Sequence, residues 1–391
     1  MRKSQIEEIG GIRGWAALVV FFWHAFVALD NRLWEYFDGP FMVLIFFALS
    51  GDALSVSFTR ELNPAVSPTI PLMHVLRLTG LAIFCLWLTY LSIHWGLVNS
   101  AEAGGLAKEG NSQSLINPSD ISLELEAFYS GLIETYRLPP RFIYFLRTMR
   151  AEFAGSIVVF AIGSVFPRLR FRPVILAFAI LFYFHYDRHI TLFIFGIFLG
   201  QCRSMGIFAY SHRVNALRAL SGLAVLSFPF VHRFTDGPPS DSPTADKLAS
   251  ACGLLFCIYA SKDAVWLFST KVSYFLGEIS FPLFALSSLV IGTLQSELII
   301  RIISAGINSK ATEWAVLCAA TTGIVLIVFS CIVRSIERGY LRLLDKAVDF
   351  LVNPITDVKN KGTFDPIPDD DDRPQSAQCS PVLIEVEKKI V

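Results

Sequence analysis

An arginine and a histidine share one apolar run near the start of the chain: Ile12-Arg13-Gly-Trp-Ala-Ala-Leu-Val-Val-Phe-Phe-Trp-His24-Ala-Phe26. Arg13 and His24 are eleven positions apart. At about 100° and about 1.5 Å per residue, a helix returns them to nearly one face, roughly 16 Å apart along its axis. A guanidinium binds phosphate or carboxylate through two parallel hydrogen bonds. A neutral imidazole accepts a hydroxyl proton near physiological pH. Ionisable groups within a membrane are costly, face the bundle interior and mark function by default. Two plainer readings stay open. His24 can be a packed histidine bonded to a carbonyl, and Arg13 an anchor reaching lipid phosphates.

Further polar residues interrupt other apolar runs. The second run holds Phe46-Phe47-Ala48-Leu49-Ser50-Gly51-Asp52. Small residues such as Ser50 and Gly51 let membrane helices approach closely, and Asp52 is a second intramembrane acid. The third run opens with His74-x-x-Arg77, and the fourth holds Arg147-Thr148-Met149-Arg150-Ala151-Glu152. A buried carboxylate must pair or become neutral. Glu152 either pairs with Arg147 or Arg150, or it orients His24 or holds a substrate. Gly196 and Gly200 mark a later run, and Ile279-Ser280-Phe281-Pro282-Leu283-Phe284-Ala285-Leu286-Ser287 another. His94, His185, His189, His212 and His232 fall near run ends and are expected at interfaces.

These residues need elements to position them. Of the 391 residues, 53% are hydrophobic and only 17% charged, which fits a polytopic membrane protein better than a soluble domain. With about 20 apolar residues per crossing, about ten spans are expected: 12–29, 40–58, 72–97, 142–165, 172–185, 189–203, 216–232, 247–261, 273–294 and 311–333. The ninth is expected to be interrupted by Pro282. The expected fold is an all-α transmembrane bundle with no soluble domain of its own. Residues 1–335 form the membrane domain, including an external loop at 98–141. Apolar residues at helical spacing (Ile121, Leu125, Phe128, Leu132) predict a helix on the membrane surface, or capping the bundle, within that loop. A basic juxtamembrane segment follows at 336–361, then an acidic tail at 362–391 with the composition of a disordered chain.

The positive-inside rule places both termini in the cytoplasm: Arg168, Arg170, Arg172, Arg203, Arg213, Arg218 and Arg334 then fall on inner segments, and the 98–141 loop is acidic. The basic start leads into the first run without a small-residue cleavage site, so no cleavable leader is expected. The seven cysteines form neither a zinc pattern nor a disulfide framework. A net charge of zero gives no sign of a nucleic-acid partner. No repeat of fixed period is visible.

In this order the motifs resemble the membrane-bound acyltransferase-3 family, which includes polysaccharide O-acetylases and macrolide acylases. Arg-x(10)-His followed by Phe-Phe-x-Leu-Ser-Gly carries most of the likeness, which spans residues 8 to about 335. The resemblance implies catalytic roles for Arg13, His24 and Glu152. It implies a donor site for acyl-coenzyme A, most simply acetyl-coenzyme A, formed by Arg13, Ser50, Gly51, His74 and Arg77. The acceptor would be a hydroxyl of a carbohydrate or small molecule, with His24 as general base and no metal. The bilayer is the other partner, and a homo-oligomer is left open. The chain departs from the family at three places. His74 stands for the first arginine of an Arg-x-x-Arg pair, and Arg147 for a tryptophan. Ser287 stands for a late histidine whose neighbouring tyrosines are here Phe281 and Phe284. A proton-coupled transporter of a small anionic or acylated solute is the reading from another class, and a silent relative that binds a partner is a third.

Overall fold

Hydrocarbon offers no partner for a backbone N–H or C=O, so a chain this apolar satisfies them within helices or closed barrels. The structure is a computed structural model that describes residues 2–29, 31–60, 69–100, 102–103, 148–235, 244–307 and 311–361. Every regular element among them is helical. In chain order these are α1 (Arg2–Ala28), α2 (Gly39–Arg60), α3 (Thr69–His94), α4 (Met149–Val165), α5 (Arg172–Tyr186), α6 (Arg188–Ser204) and α7 (Ile207–Arg213). There follow α8 (Asn215–Thr235), α9 (Ala245–Ala260), α10 (Lys262–Phe268), α11 (Lys271–Val290), α12 (Ser296–Ser304) and α13 (Thr312–Lys361). The helix expected at 120–136, Arg147 and the tail from 362 lie outside the described residues.

Among the described residues, six helical stretches are long and apolar enough to cross a membrane: Glu8–Ala28, Arg32–Thr59, Ile70–His94, Met149–Arg168, Lys271–Ser304 and Thr312–Val348. Two bent pairs raise the number to eight if each is one span: α6 with α7, bent by 60°, and α9 with α10, bent by 94°. The expected ten is therefore not reached among the described residues. The shortfall falls on α5, which has only 15 residues, about 22 Å of helix against a hydrocarbon core of about 30 Å. It falls also on α8, whose first half mixes Asn215, Arg218 and Ser221 among its apolar residues. Pro282 does not interrupt its span, because α11 is helical from Lys271 to Val290. Membrane helices tolerate proline where neighbours supply the lost backbone partner. The irregularity comes later, as a π-helical turn at Ile291–Gln295 leading into α12.

Helix α1 packs on α2 and α11. Its contact with α11 is backbone to backbone: a Cβ on Gly277 would overlap the Gly10 carbonyl. Trp15 Nε1 donates to Ser273 Oγ across the same seam, at 3.0 Å. The α2–α6 crossing uses the same device. A Cβ on Gly51 would overlap the Phe193 carbonyl oxygen, and one on Gly196 the Ala48 carbonyl oxygen. Such close crossings let dispersion and weak C–H···O contacts hold helices together where lipid removes the hydrophobic drive. The core is two apolar clusters. One joins α1, α3, α11 and α13 around Phe21, Leu283 and Leu286. The other joins α2, α4, α6 and α9 around Phe41, Leu49 and Phe193.

Candidate functional site

Between these clusters α1, α2, α3 and α4 bring together polar side chains far apart in sequence. The Arg13 guanidinium lies over the Phe46 ring of α2, 4.6 Å from its centroid. Its charged neighbours are Glu152 of α4 and Arg77 of α3. Arg13 is thus drawn into the bundle. Glu152 is 6% exposed, and Arg13 stands beside it from another helix; Arg150, a counter-ion expected from sequence, is exposed. Ser50 lies next to the Glu152 carboxylate. Arg13 Nε, Ser50 Oγ and Glu152 Oε2 are all enclosed with no hydrogen-bond partner among the described residues.

His74 completes this group. Its Nε2 is 2.9 Å from Ser156 Oγ, and that hydroxyl donates to the Glu152 backbone carbonyl at 2.7 Å. A serine hydroxyl has one proton to give, so His74 Nε2 carries the N–H of the first bond. Arg13 and Arg77 both act on His74. Arg77 Nε donates to Glu337 Oε1 at 2.8 Å, and its guanidinium lies 5.8 Å from the Phe281 centroid. The ring of Phe284 stacks on Phe46 at 5.8 Å, behind Arg13. Phe46, backed by Phe284, and Phe281 therefore form an aromatic floor under the two guanidiniums, where a cation over a ring face is stabilised. Ser287 donates to the Phe284 carbonyl at 2.6 Å.

Of the residues singled out from sequence, Arg13, Ser50, His74, Arg77 and Glu152 meet. His24 does not share their level. It is 7% exposed and sits about 16 Å farther along α1, with its ring edge-on to Trp23 at 4.5 Å. Near that level Gln295 of the π-helical turn donates to the Ala25 carbonyl at 2.7 Å. Gly51 serves the α2–α6 crossing rather than facing the polar group.

Two clusters were not foreseen. Asp52, fully buried, receives both terminal nitrogens of Arg203 at 3.2 and 2.7 Å. Tyr259 Oη donates to the same carboxylate at 2.8 Å, and Arg203 lies over the Tyr259 ring at 4.5 Å. Arg203, expected as an inner-loop cation, instead turns inward from the last turn of α6 and ties α2, α6 and α9. The signal was available: Asp52 lies inside one apolar run and Arg203 ends another, and a buried acid needs a partner. The second cluster joins Arg334 and Glu337 of α13 to Arg77, with Arg334 Nη1 at 2.9 Å from Glu337 Oε2. Among the described residues no group of three His, Cys, Asp or Glu side chains could hold a metal ion. Compared with family models, curated proteins and solved structures, the chain matches none.

Proposed function

We propose that this chain is an integral-membrane O-acyltransferase. It moves an acyl group, most simply acetyl, from acyl-coenzyme A to a hydroxyl of a carbohydrate or a hydroxylated small molecule. The observation that carries the reading is the set of enclosed, unpartnered polar atoms on Arg13, Ser50 and Glu152, converging from three helices. An unpaired buried polar atom costs about 1–3 kcal/mol, and such atoms in a native structure call for an explanation. A ligand that pairs with them supplies one. Its chemistry follows from the neighbours: Arg13, Arg77 and Arg334 outnumber Glu152 and Glu337, so an anionic group is favoured. The order of Arg13, His24 and the Phe46-Phe47-Ala48-Leu49-Ser50-Gly51 run supports the same activity.

In this reading both termini lie in the cytoplasm, the donor phosphates dock against Arg13 and Arg77, and the extended arm of the donor runs along α1. The thioester is presented towards His24. As the acceptor oxygen attacks the thioester carbon, His24 takes its proton. The carbon–sulfur bond then breaks, and the leaving thiolate is protonated as free coenzyme A. Transfer is direct.

Detergent-purified protein incubated with acetyl-coenzyme A labelled in the acetyl group should release free coenzyme A and place the label on a polyol or sugar acceptor. Uptake of label into proteoliposomes with the thioester intact would mean a transporter instead.

A further inference from the structure

We infer that Arg334, on the last helix, is a third guanidinium of the donor site and holds a phosphate of the bound nucleotide. Glu337 is the positioning residue that sets Arg334 beside Arg77. The inference rests on the acyltransferase reading and deepens it.

The geometry comes from α3, α11 and α13. Glu337 is 6% exposed and takes Arg77 Nε on one oxygen at 2.8 Å and Arg334 Nη1 on the other at 2.9 Å. Each arginine thus spends one nitrogen on the carboxylate. Arg334 Nε is enclosed with no hydrogen-bond partner among the described residues. Two cations on one anion leave a surplus positive charge at a largely enclosed site. A bare structural ion pair would need only one arginine for one carboxylate. One turn beyond, Arg338 Nη2 reaches Glu278 of α11 at 3.0 Å, and Tyr340 Oη donates to the Leu76 carbonyl of α3 at 3.2 Å. These contacts fix α13 against α3 and α11, so the Arg77–Glu337–Arg334 fork is held on both sides. Forked guanidiniums held rigid by a carboxylate suit a phosphate or pyrophosphate, which can accept two parallel N–H bonds from each.

The test compares two donors for wild type and Arg334→Gln: acetyl-coenzyme A, and acetyl-pantetheine, which carries the same thioester without phosphates. Loss of one charge-assisted contact should raise KM for acetyl-coenzyme A by about tenfold or more, with kcat within about twofold. KM for acetyl-pantetheine should be unchanged, and adenosine 3′,5′-bisphosphate should inhibit wild type more strongly than the variant. An unchanged KM for acetyl-coenzyme A, or equal rises for both donors, would overturn the inference. Should Arg334→Gln not be recovered folded, Arg334→Lys, which keeps a cation for Glu337, is scored by the same comparison. If wild type transfers no acyl group from either donor, the acyltransferase reading itself fails.

Discussion

At the residue scale the claims rest on three side chains with different tasks. His24→Ala removes the base and little else. It should insert and purify like wild type yet lose acyl transfer by about 10²–10⁴-fold, the usual worth of a general base. Transfer near the wild-type rate would remove His24 from the mechanism. Glu152→Gln keeps the shape but deletes the charge beside Arg13. Because burial makes an uncompensated guanidinium costly, this variant should melt at a lower temperature and also bind the donor differently. An unchanged melting temperature would mean that Arg13 finds its counter-charge elsewhere. Much of this was legible from the sequence, since a charged side chain inside an apolar run must be turned inward. Which charges meet was not. Arg150 lies closer to Glu152 in the chain than Arg13 does, but Arg150 is exposed and Arg13 is the cation whose charge acts on the buried carboxylate.

At the element scale, two crossings position the site. The α2–α6 crossing depends on Gly51 and Gly196 and is locked by Asp52, Arg203 and Tyr259. Gly51→Ala should push α6 away from α2 and cost about 1–3 kcal/mol, as overpacking does. Thermal unfolding in detergent would read it, and a melting curve like wild type would contradict the close crossing. Asp52→Asn should be more severe, about 3–5 kcal/mol, since it leaves Arg203 as a buried charge without its partner. The double variant Asp52→Asn with Arg203→Gln should recover part of that loss; no recovery would mean the two do not pair. The Ser-Gly pair was read from sequence as permitting close approach, and it does so. The tie to Arg203 was hidden, because the residue sits at the end of an apolar run where a loop cation is equally common. Proline gave the wrong signal in α11. Its missing N–H predicts a break in water, but packed neighbours keep the helix whole.

At the scale of the whole molecule, an all-helical membrane bundle was legible from the apolar runs alone. The number of crossings was not, because the apolar runs at α5 and α8 are too short or too mixed in composition to count as spans, and hydropathy does not mark the bend between α6 and α7 or between α9 and α10. Sequence marks a change from apolar to charged at residue 335, and α13 carries its 50 residues through that change without a break. That is about 75 Å, more than twice the hydrocarbon thickness of about 30 Å. Spin labels at Ile332 and Val352 should therefore report one narrow distance near 30 Å, from 20 residues at about 1.5 Å each. A broad or much shorter distribution would show that the helix bends there.

Its unbroken length has a mechanical side. Arg334, Glu337 and Arg338 ride on a rod whose far end, Lys361, lies about 36 Å beyond Glu337. With its fulcrum in the bundle, this rod is a long lever arm. By geometry alone, a small tilt of such a rod about a point in the bundle moves its tip several times farther than it moves the carboxylate.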